Sequence, residues 1–273
     1  MKYDNARPPM AVILAGGIGS SLGPLTDKTA KSLLSVGGSV ILERMIRNCL
    51  SCGISQFVMV LGHRADEIKQ LIDKTFRGIR VTYVINDRYR DTDTGYCLLL
   101  ASSAVGTREF IKFDADVVFE TKILRALMDS DLPNLLCIER DIALTDEDVK
   151  VIADDEMRVS EIGKSVDPAT ALGESIGIEK ISAVTGPLLF AQLREMMESS
   201  ANTHAYYEAA YARLVDNGIP FHALDITGMK WTGIDTAEDF AAANAMFGTP
   251  ITTVSRGQQR ALDEAGTNPQ RRP

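Results

Sequence analysis

Short apolar runs alternate with amphipathic segments along the first 115 residues of the chain. The run at residues 10–15 has the length and the β-branched content of a buried strand, and similar runs predict strands at 56–61, 80–85 and 110–113. Apolar positions at helical spacing predict helices near 40–50, 66–75 and 96–104. Strands separated by helices are typical of βαβ units and of a mostly parallel sheet that is buried on both faces.

The pattern changes after residue 140. Short extended runs at 149–152 and 159–162, separated by a polar turn, predict a small excursion over residues 141–180 that caps the substrate site. Helices at 186–197 and 203–216, a strand at 221–226 and a helix at 236–247 follow. We therefore expect one domain over residues 1–250 and a disordered polar tail over 251–273.

Composition excludes several classes of protein. The 273 residues carry a net charge of -8, which disfavours nonspecific nucleic-acid binding, and no apolar run approaches the roughly 18 residues that a membrane span needs. No apolar leader is visible, so a cytoplasmic location is expected. Cys49 and Cys52 form a Cys-x-x-Cys pair without a second pair nearby, and we interpret them as small apolar residues.

A glycine-rich turn directly after the first strand is the most informative local feature. Glycine lets the backbone approach a ligand closely, so the amides of Gly16, Gly17 and Gly19 can point at phosphate oxygens. Lys31, about a dozen residues on, adds a mobile positive charge. The spacing lacks the last glycine of the dinucleotide fingerprint and the Gly-Lys-Ser/Thr of a Walker loop.

Carboxylates follow two later segments. Asp114 and Asp116 lie at the end of a strand that points to the same edge as the glycine turn, where they suit a hard divalent cation such as Mg²⁺. Asp235 precedes Thr236, which is a natural helix N-cap with Asp239 in the first turn. A helix start explains Thr236 and Asp239, but it leaves Asp235 free for another role.

The long string from Met10 to Leu34 resembles the signature of nucleotidyltransferases that join a nucleoside triphosphate to a phosphorylated sugar or alcohol. The strings at 85–89, 148–151, 161–164 and 173–178 are similar to cytidylyltransferases for phosphocholine, inositol phosphate or aminoethylphosphonate. This resemblance implies a three-layer α/β fold with a mixed, mostly parallel, Rossmann-like sheet. It implies transfer of CMP from CTP to a small phosphorylated alcohol or phosphonate, with Mg²⁺ as cofactor and pyrophosphate as product.

The same resemblance assigns roles to residues of this chain. Lys31, Asp116 and Asp235 would be catalytic, the two aspartates would hold Mg²⁺, and Lys164 and Glu174 would bind the acceptor. The nucleotide would contact the glycine turn and two further loops, through Leu14, Ala15, Gly16, Gly17, Gly19, Ser20, Ser21, Lys31, Gly62, Asp93 and Thr94.

Two alternatives stay open. One is a sugar-1-phosphate nucleotidyltransferase that uses UTP or another nucleotide. The other is a nucleotide-binding sensor without turnover, which is favoured by departures from the family pattern: Ser21 replaces an arginine, and Gly233 replaces an acid. Asp93 also stands where asparagine is frequent. A homodimer is one assembly compatible with the sequence, whereas nucleic-acid and membrane partners are not expected.

Overall fold

A single mixed sheet organises the chain. The computed structural model describes residues 8–27, 29–198 and 204–248, and these form a nine-stranded sheet with helices packed against it. The strands in chain order are β1 (Met10–Ala15), β2 (Ser35–Val36), β3 (Ser39–Val40), β4 (Gln56–Leu61), β5 (Arg80–Ile85), β6 (Phe110–Asp114), β7 (Val117–Phe119), β8 (Leu135–Glu139), β9 (Lys150–Ala153), β10 (Val159–Gly163), β11 (Gly173–Ile181), β12 (His222–Asp225) and β13 (Trp231–Gly233).

The described helices cover both faces of this sheet. They are α1 (Ile41–Ser51), α2 (Ala65–Thr75), α3 (Thr94–Leu100), α4 (Ser102–Val105), α5 (Thr121–Asp129), α6 (Thr185–Met197), α7 (Glu208–Asp216) and α8 (Ala237–Phe247). Two short 3-10 helices, Ser20–Leu25 and Lys31–Leu33, follow β1. None of these helices combines the length and the apolar character that a bilayer-spanning segment requires.

The centre of the sheet is the parallel set β6-β1-β4-β5. Every residue of β1 is buried, because α3 and α6 cover one face and α1 and α2 the other. The predicted mixed α/β fold is confirmed. The strands at 56–61 and 80–85 have the predicted bounds. Because parallel strands end at a common edge, the turns after β1 and β6 meet there.

The segment at 141–180, which was predicted to cap the site, adds strands to the central sheet. β11 pairs antiparallel with β6, and β9 and β10 continue the same sheet. β11 escaped prediction because Glu174, Gly177 and Glu179 interrupt its apolar pattern. Two of its buried charged side chains have partners in the interior: Lys180 donates to the carbonyl oxygen of Ser130 at 2.6 Å, and Glu179 pairs with Lys112, as described below.

Other differences are local. The helix predicted at 96–104 is divided at Ala101 into α3 and α4, and the helix predicted from Thr203 begins only at Glu208. The elements α5, β7, β8 and β13 were not predicted. Thr203, residues 249–250 and the tail at 251–273 lie outside the described residues.

The turn after β4 packs against the glycine turn with no space for a side chain at Gly62. A Cβ at Gly62 would lie 2.6 Å from the carbonyl oxygen of Gly16 and 2.6 Å from Cβ of Tyr89. Gly17, on the open side of the same turn, has nothing within 4 Å of such a Cβ.

We therefore predict that Gly62→Ala lowers the free energy of unfolding by about 1–3 kcal/mol, because overpacking forces the backbone to shift. Gly17→Ala is the matched control and should change stability by about 0.5 kcal/mol or less. Urea unfolding of both variants measures the difference. Equal stability of the two would contradict the close packing of the two turns.

Candidate functional site

One cavity of about 320 Å³ lies at the carboxyl edge of the parallel strands. The glycine turn and Lys31 form one end of it, and the residues around Lys164 and the start of α7 form the other. Asp114, Asp116 and Trp231 lie along its length. The cavity therefore joins segments that are far apart in sequence.

Lys31 bridges two carboxylates at the first end of the cavity. Its Nζ donates to Asp116 Oδ2 at 2.8 Å and to Asp235 Oδ1 at 2.7 Å. The Lys31 side chain is 14% exposed, whereas that of Asp235 is 72% exposed, so the ammonium group lies under an accessible carboxylate.

Two elements bring Asp116 and Asp235 together. β7 and β13 pair antiparallel with Val117 opposite Gly233, which brings Asp116, directly before β7, close to Asp235, two residues after the end of β13. The helix start then fixes Asp235, because the Asp239 carboxylate accepts from the backbone amides of Asp235 and Thr236 at 3.0 and 2.7 Å. The helix start predicted for this string is therefore present, and Asp235, directly before it, is exposed.

The charge of Lys31 is stabilised by its partners. Burial alone would lower the pKa of Lys31, but the charges of Asp116 and Asp235 and their hydrogen bonds outweigh it, so that the pKa is raised. The side chain is consequently a fixed ammonium group at neutral pH.

The glycine turn contacts the stem of Lys31. Gly19 has a φ of +70°, and a Cβ there would lie 3.1 Å from Cβ of Lys31. Thr26 Oγ1 donates to the carbonyl oxygen of Gly19 at 2.8 Å, which closes the loop over the first 3-10 helix. Glycine is required here by backbone conformation and by space.

A buried charge cluster forms the wall between the two ends. Lys112, fully buried on β6, lies 2.9 Å from Asp114 Oδ2 and 2.9 Å from Glu179 Oε2. Tyr207 donates its hydroxyl to Asp114 Oδ2 at 2.5 Å, and Nζ of Lys112 is 3.6 Å from the centre of the Tyr207 ring. Gly177, with φ of +78°, leaves the space that the Asp114 carboxylate occupies.

Carboxylates outnumber cations in this cluster. Glu208, at the start of α7, is 9% exposed, and its Oε2 has no hydrogen-bond partner. Burial, together with the charge of Asp114, raises the pKa of Glu208 to about 7, although Lys112 opposes the shift. Burial likewise raises the pKa of Glu179. Lys112 is thus a single cation facing Asp114, Glu179 and Glu208.

Lys164 and Glu174 complete the second end. Lys164 follows β10 and donates to Glu147 at 3.2 Å, and its Nζ lies 5.1 Å from the ring centre of Tyr206. Glu174 is on β11, and its pKa is raised to about 7 by burial and by the charges of Asp148, Asp235 and Glu139. This end offers one accessible cation beside several acids and aromatic rings.

The cavity collects most of the residues that the sequence singled out. Ten of them line it: Leu14, Ala15, Gly17, Gly19, Lys31, Thr94, Asp116, Lys164, Glu174 and Asp235. Gly16, Ser21, Gly62 and Asp93 do not line it. Asp93 instead contacts His204 at 3.3 Å, and Ser21 is exposed on the 3-10 helix that Ser20 begins.

The two acids after β6 have separate positions. Asp116 pairs with Lys31, whereas Asp114 pairs with Lys112 and Tyr207, because the turn between β6 and β7 rotates the two side chains apart. Sequence reasoning missed Lys112, Tyr207, Glu208 and Trp231. A lysine in the middle of an otherwise apolar strand was the one signal that could have identified the cluster.

Asp116 and Asp235 are the described residues best suited to a divalent cation. Their oxygens already converge on one positively charged atom, and carboxylate oxygen is the ligand that Mg²⁺ prefers. No group of three or more acidic, histidine or cysteine side chains with metal-site spacing occurs among residues 8–27, 29–198 and 204–248. A pair of carboxylates fits Mg²⁺ that completes its shell with water and phosphate.

Comparison with known proteins agrees with this geometry. Residues 10–132 match the nucleotidyl transferase family, over the segment that carries the glycine turn, Lys31 and Asp116. Over these residues the chain is similar to the nucleotidyl transferase family. The resemblance inferred from the sequence is thereby confirmed.

The chain has curated relatives at modest identity. The CMP-5'-(3-aminopropyl)phosphonate synthase of Streptomyces rubellomurinus is 26% identical over 95% of the chain and 41% of its own length. The bifunctional IPC transferase and DIPP synthase of Aquifex aeolicus is 25% identical over 85% of the chain and 50% of its own length. The chain thus spans half or less of the length of these curated relatives.

A solved structure shares the fold. The CTP:phosphocholine cytidylyltransferase of Streptococcus pneumoniae superposes with a TM-score of 0.72 at 20% identity, covering 88% of the chain and 99% of its own length. The fold of the chain therefore belongs to a recurring architecture.

The buried acids predict a pH dependence of stability. Glu208 keeps its proton in the folded protein up to about pH 7, whereas an unfolded glutamate loses it near pH 4.3, so its contribution to stability falls as the pH rises through that window. Glu208→Gln removes this loss. As the pH is raised from 5 to 8, the melting temperature of Glu208→Gln minus that of wild type should increase by on the order of 2–4 °C.

Thermal melts at several pH values measure this difference. Glu161→Gln, an exposed position on β10, is the control and should follow wild type at every pH. Parallel curves for Glu208→Gln and wild type would show that Glu208 ionises as freely in the folded protein as in the unfolded chain.

Proposed function

We propose that this nucleotidyltransferase moves CMP from CTP to a small phosphonate or phosphorylated alcohol that also carries a positive charge. The observation that supports it is the cavity with two unlike ends, one built from the glycine turn and Lys31 and the other from Lys164 among acids and aromatic rings. CTP as donor follows the names of the relatives, which specify CMP or cytidylyl products.

The residues at the first end suit nucleotidyl transfer. An oxygen of the acceptor phosphonate forms the new bond to the α-phosphorus of CTP, and the bond to pyrophosphate breaks. The nucleophile is already anionic, so the reaction requires no general base. Catalysis rests on positioning and on charge stabilisation, with Lys31 beside the α-phosphate and the amides of Gly17 and Gly19 toward the leaving phosphates.

Asp116 and Asp235 would hold Mg²⁺. When bound, the ion supplies a positive charge that offsets the charge developing on the phosphates. Lys31 contacts the same two carboxylates, so it lies next to the reacting groups.

The second end favours an acceptor with both signs of charge. Lys164 would pair with the phosphonate, because it is the exposed cation of this wall. The acids there exceed the cations, and Glu208 has an oxygen without a partner, so an ammonium group on the acceptor would complete the cluster. The aromatic faces of Tyr206 and Tyr207 add a surface suited to such a cation.

Two other functions compete with this proposal. A sugar-1-phosphate nucleotidyltransferase would use an acceptor that has no ammonium group, which leaves Oε2 of Glu208 without a hydrogen-bond partner. A nucleotide sensor would bind CTP without turnover, and Gly233 beside Asp235 is the feature that favours it.

A pyrophosphate-release assay separates the three. We predict that CTP with 2-aminoethylphosphonate gives kcat/KM at least about tenfold above the isosteric propylphosphonate, the worth of one charge-assisted hydrogen bond of about 1.5 kcal/mol. Glu208→Gln should reduce this ratio. A preference for glucose 1-phosphate with UTP would favour the first alternative, and CTP binding without release the second.

The proposed metal ligands predict a difference between neighbouring acids. Asp116→Asn should raise the Mg²⁺ concentration for half-maximal activity by about tenfold, because it removes a negative oxygen ligand at constant size. Asp114→Asn should leave the Mg²⁺ titration unchanged and raise KM for the acceptor, since Asp114 contacts Lys112 and Tyr207. Equal Mg²⁺ titrations in the two variants would remove Asp116 from the metal site.

A further inference from the structure

In the nucleotide-free protein, a lysine occupies the space between the two carboxylates that suit a metal ion. Nζ of Lys31 is 2.8 Å from Asp116 Oδ2 and 2.7 Å from Asp235 Oδ1, so a single ammonium group satisfies one oxygen of each. Mg²⁺ bound by the same pair would need both oxygens at about 2.0–2.1 Å, in the same small volume.

We propose that Lys31 closes the divalent-cation site until a nucleotide enters, so that the metal binds with the nucleotide and not before it. This inference rests on the proposed function for the identity of the metal ligands. It adds an order of binding that the transfer reaction alone does not require.

Electrostatics make the two cations mutually exclusive in the free protein. Two carboxylates and one ammonium group leave a local charge of only -1, and a dication placed beside Lys31 would meet a like charge at short range. Lys31 is mostly buried, so water screens this repulsion poorly. The cation site of the free protein is therefore weak even though its ligands are present.

A bound triphosphate would provide the partners that allow Lys31 to leave Asp116 and Asp235. The stem of Lys31 lies against Gly19, and the open backbone of Gly17 lines the same end of the cavity, so the ammonium group has phosphate-binding surface beside it. Phosphate oxygens would give Lys31 new partners and would add negative charge that balances the incoming dication. By linkage, the nucleotide and the metal then raise the affinity of each other.

Metal binding at this site can be followed through the fluorescence of a side chain within the cavity. Trp231, the single tryptophan of the chain, lines the cavity on β13, two residues before Gly233 and four before Asp235. Mn²⁺ is a paramagnetic stand-in for Mg²⁺ that quenches nearby indole fluorescence. A Mn²⁺ titration of the free protein, read by Trp231 fluorescence and by the EPR signal of unbound Mn²⁺, measures the affinity without any turnover.

The decisive comparison is wild type against Lys31→Met without nucleotide. The methionine keeps much of the apolar stem and removes the charge, so Mn²⁺ affinity should rise at least about tenfold, within the usual range of coupling between two sites. Adding Asp116→Asn to Lys31→Met should abolish the gain, because the released ligand is then lost.

Lys164→Met is the matched control. It removes a positive charge from the same cavity, but Lys164 contacts Glu147 and neither Asp116 nor Asp235. Its Mn²⁺ affinity should stay within about twofold of wild type, because this variant does not free Asp116 or Asp235. The loss of a more distant positive charge changes the electrostatic potential at the metal site only slightly. A gain equal to that of Lys31→Met would overturn the proposal.

Wild-type protein alone can also overturn it. Micromolar Mn²⁺ binding without nucleotide, with quenching of Trp231, would show that Lys31 does not close the site, whether or not Lys31→Met folds. Pyrophosphate release by wild type tests the transfer reaction separately. Turnover together with tight metal binding by the free protein would reject the lysine's role and keep the function.

Discussion

The ion pairs of Lys31 hold the site together. One ammonium group joins a turn after the central strand β6, the start of the last helix α8 and the segment that follows the glycine turn. Without it, the carboxylates of Asp116 and Asp235, which flank the paired strands β7 and β13, would face each other without a counter-charge. The site is therefore assembled by charge, on a sheet whose packing is apolar.

A second group of ion pairs, centred on the buried Lys112, lies beside the other end of the cavity. Lys112 replaces what would ordinarily be an apolar residue in the middle of β6, and three carboxylates and the ring of Tyr207 surround it. Such a cluster costs stability unless each member is partnered. Oε2 of Glu208 has no hydrogen-bond partner in this wall, and the ammonium group of the proposed acceptor would supply one.

Sequence patterns predicted the parallel half of the sheet well, because its strands are buried on both faces and read as continuous apolar runs. They also singled out the glycine turn and Lys31, which belong to one long motif, and Asp116 and Asp235, which follow a strand and precede a helix. Lys31 contacts both aspartates. The patterns failed at β11, where Glu179 lies beside its tertiary partner Lys112. Glu208 and Tyr207 could not be found in this way, because their roles arise from contacts between α7 and β6 that no local pattern encodes.

The central claim is that Lys31 exchanges its carboxylate partners for phosphate when nucleotide and metal bind. A crystal structure with CTP and Mn²⁺, phased to locate manganese by anomalous scattering, tests it directly. The account predicts a manganese peak bound to Asp116 and Asp235, with Nζ of Lys31 within hydrogen-bond distance of a phosphate oxygen. A structure in which bound CTP leaves Lys31 bridging Asp116 and Asp235, with manganese held elsewhere, would contradict it.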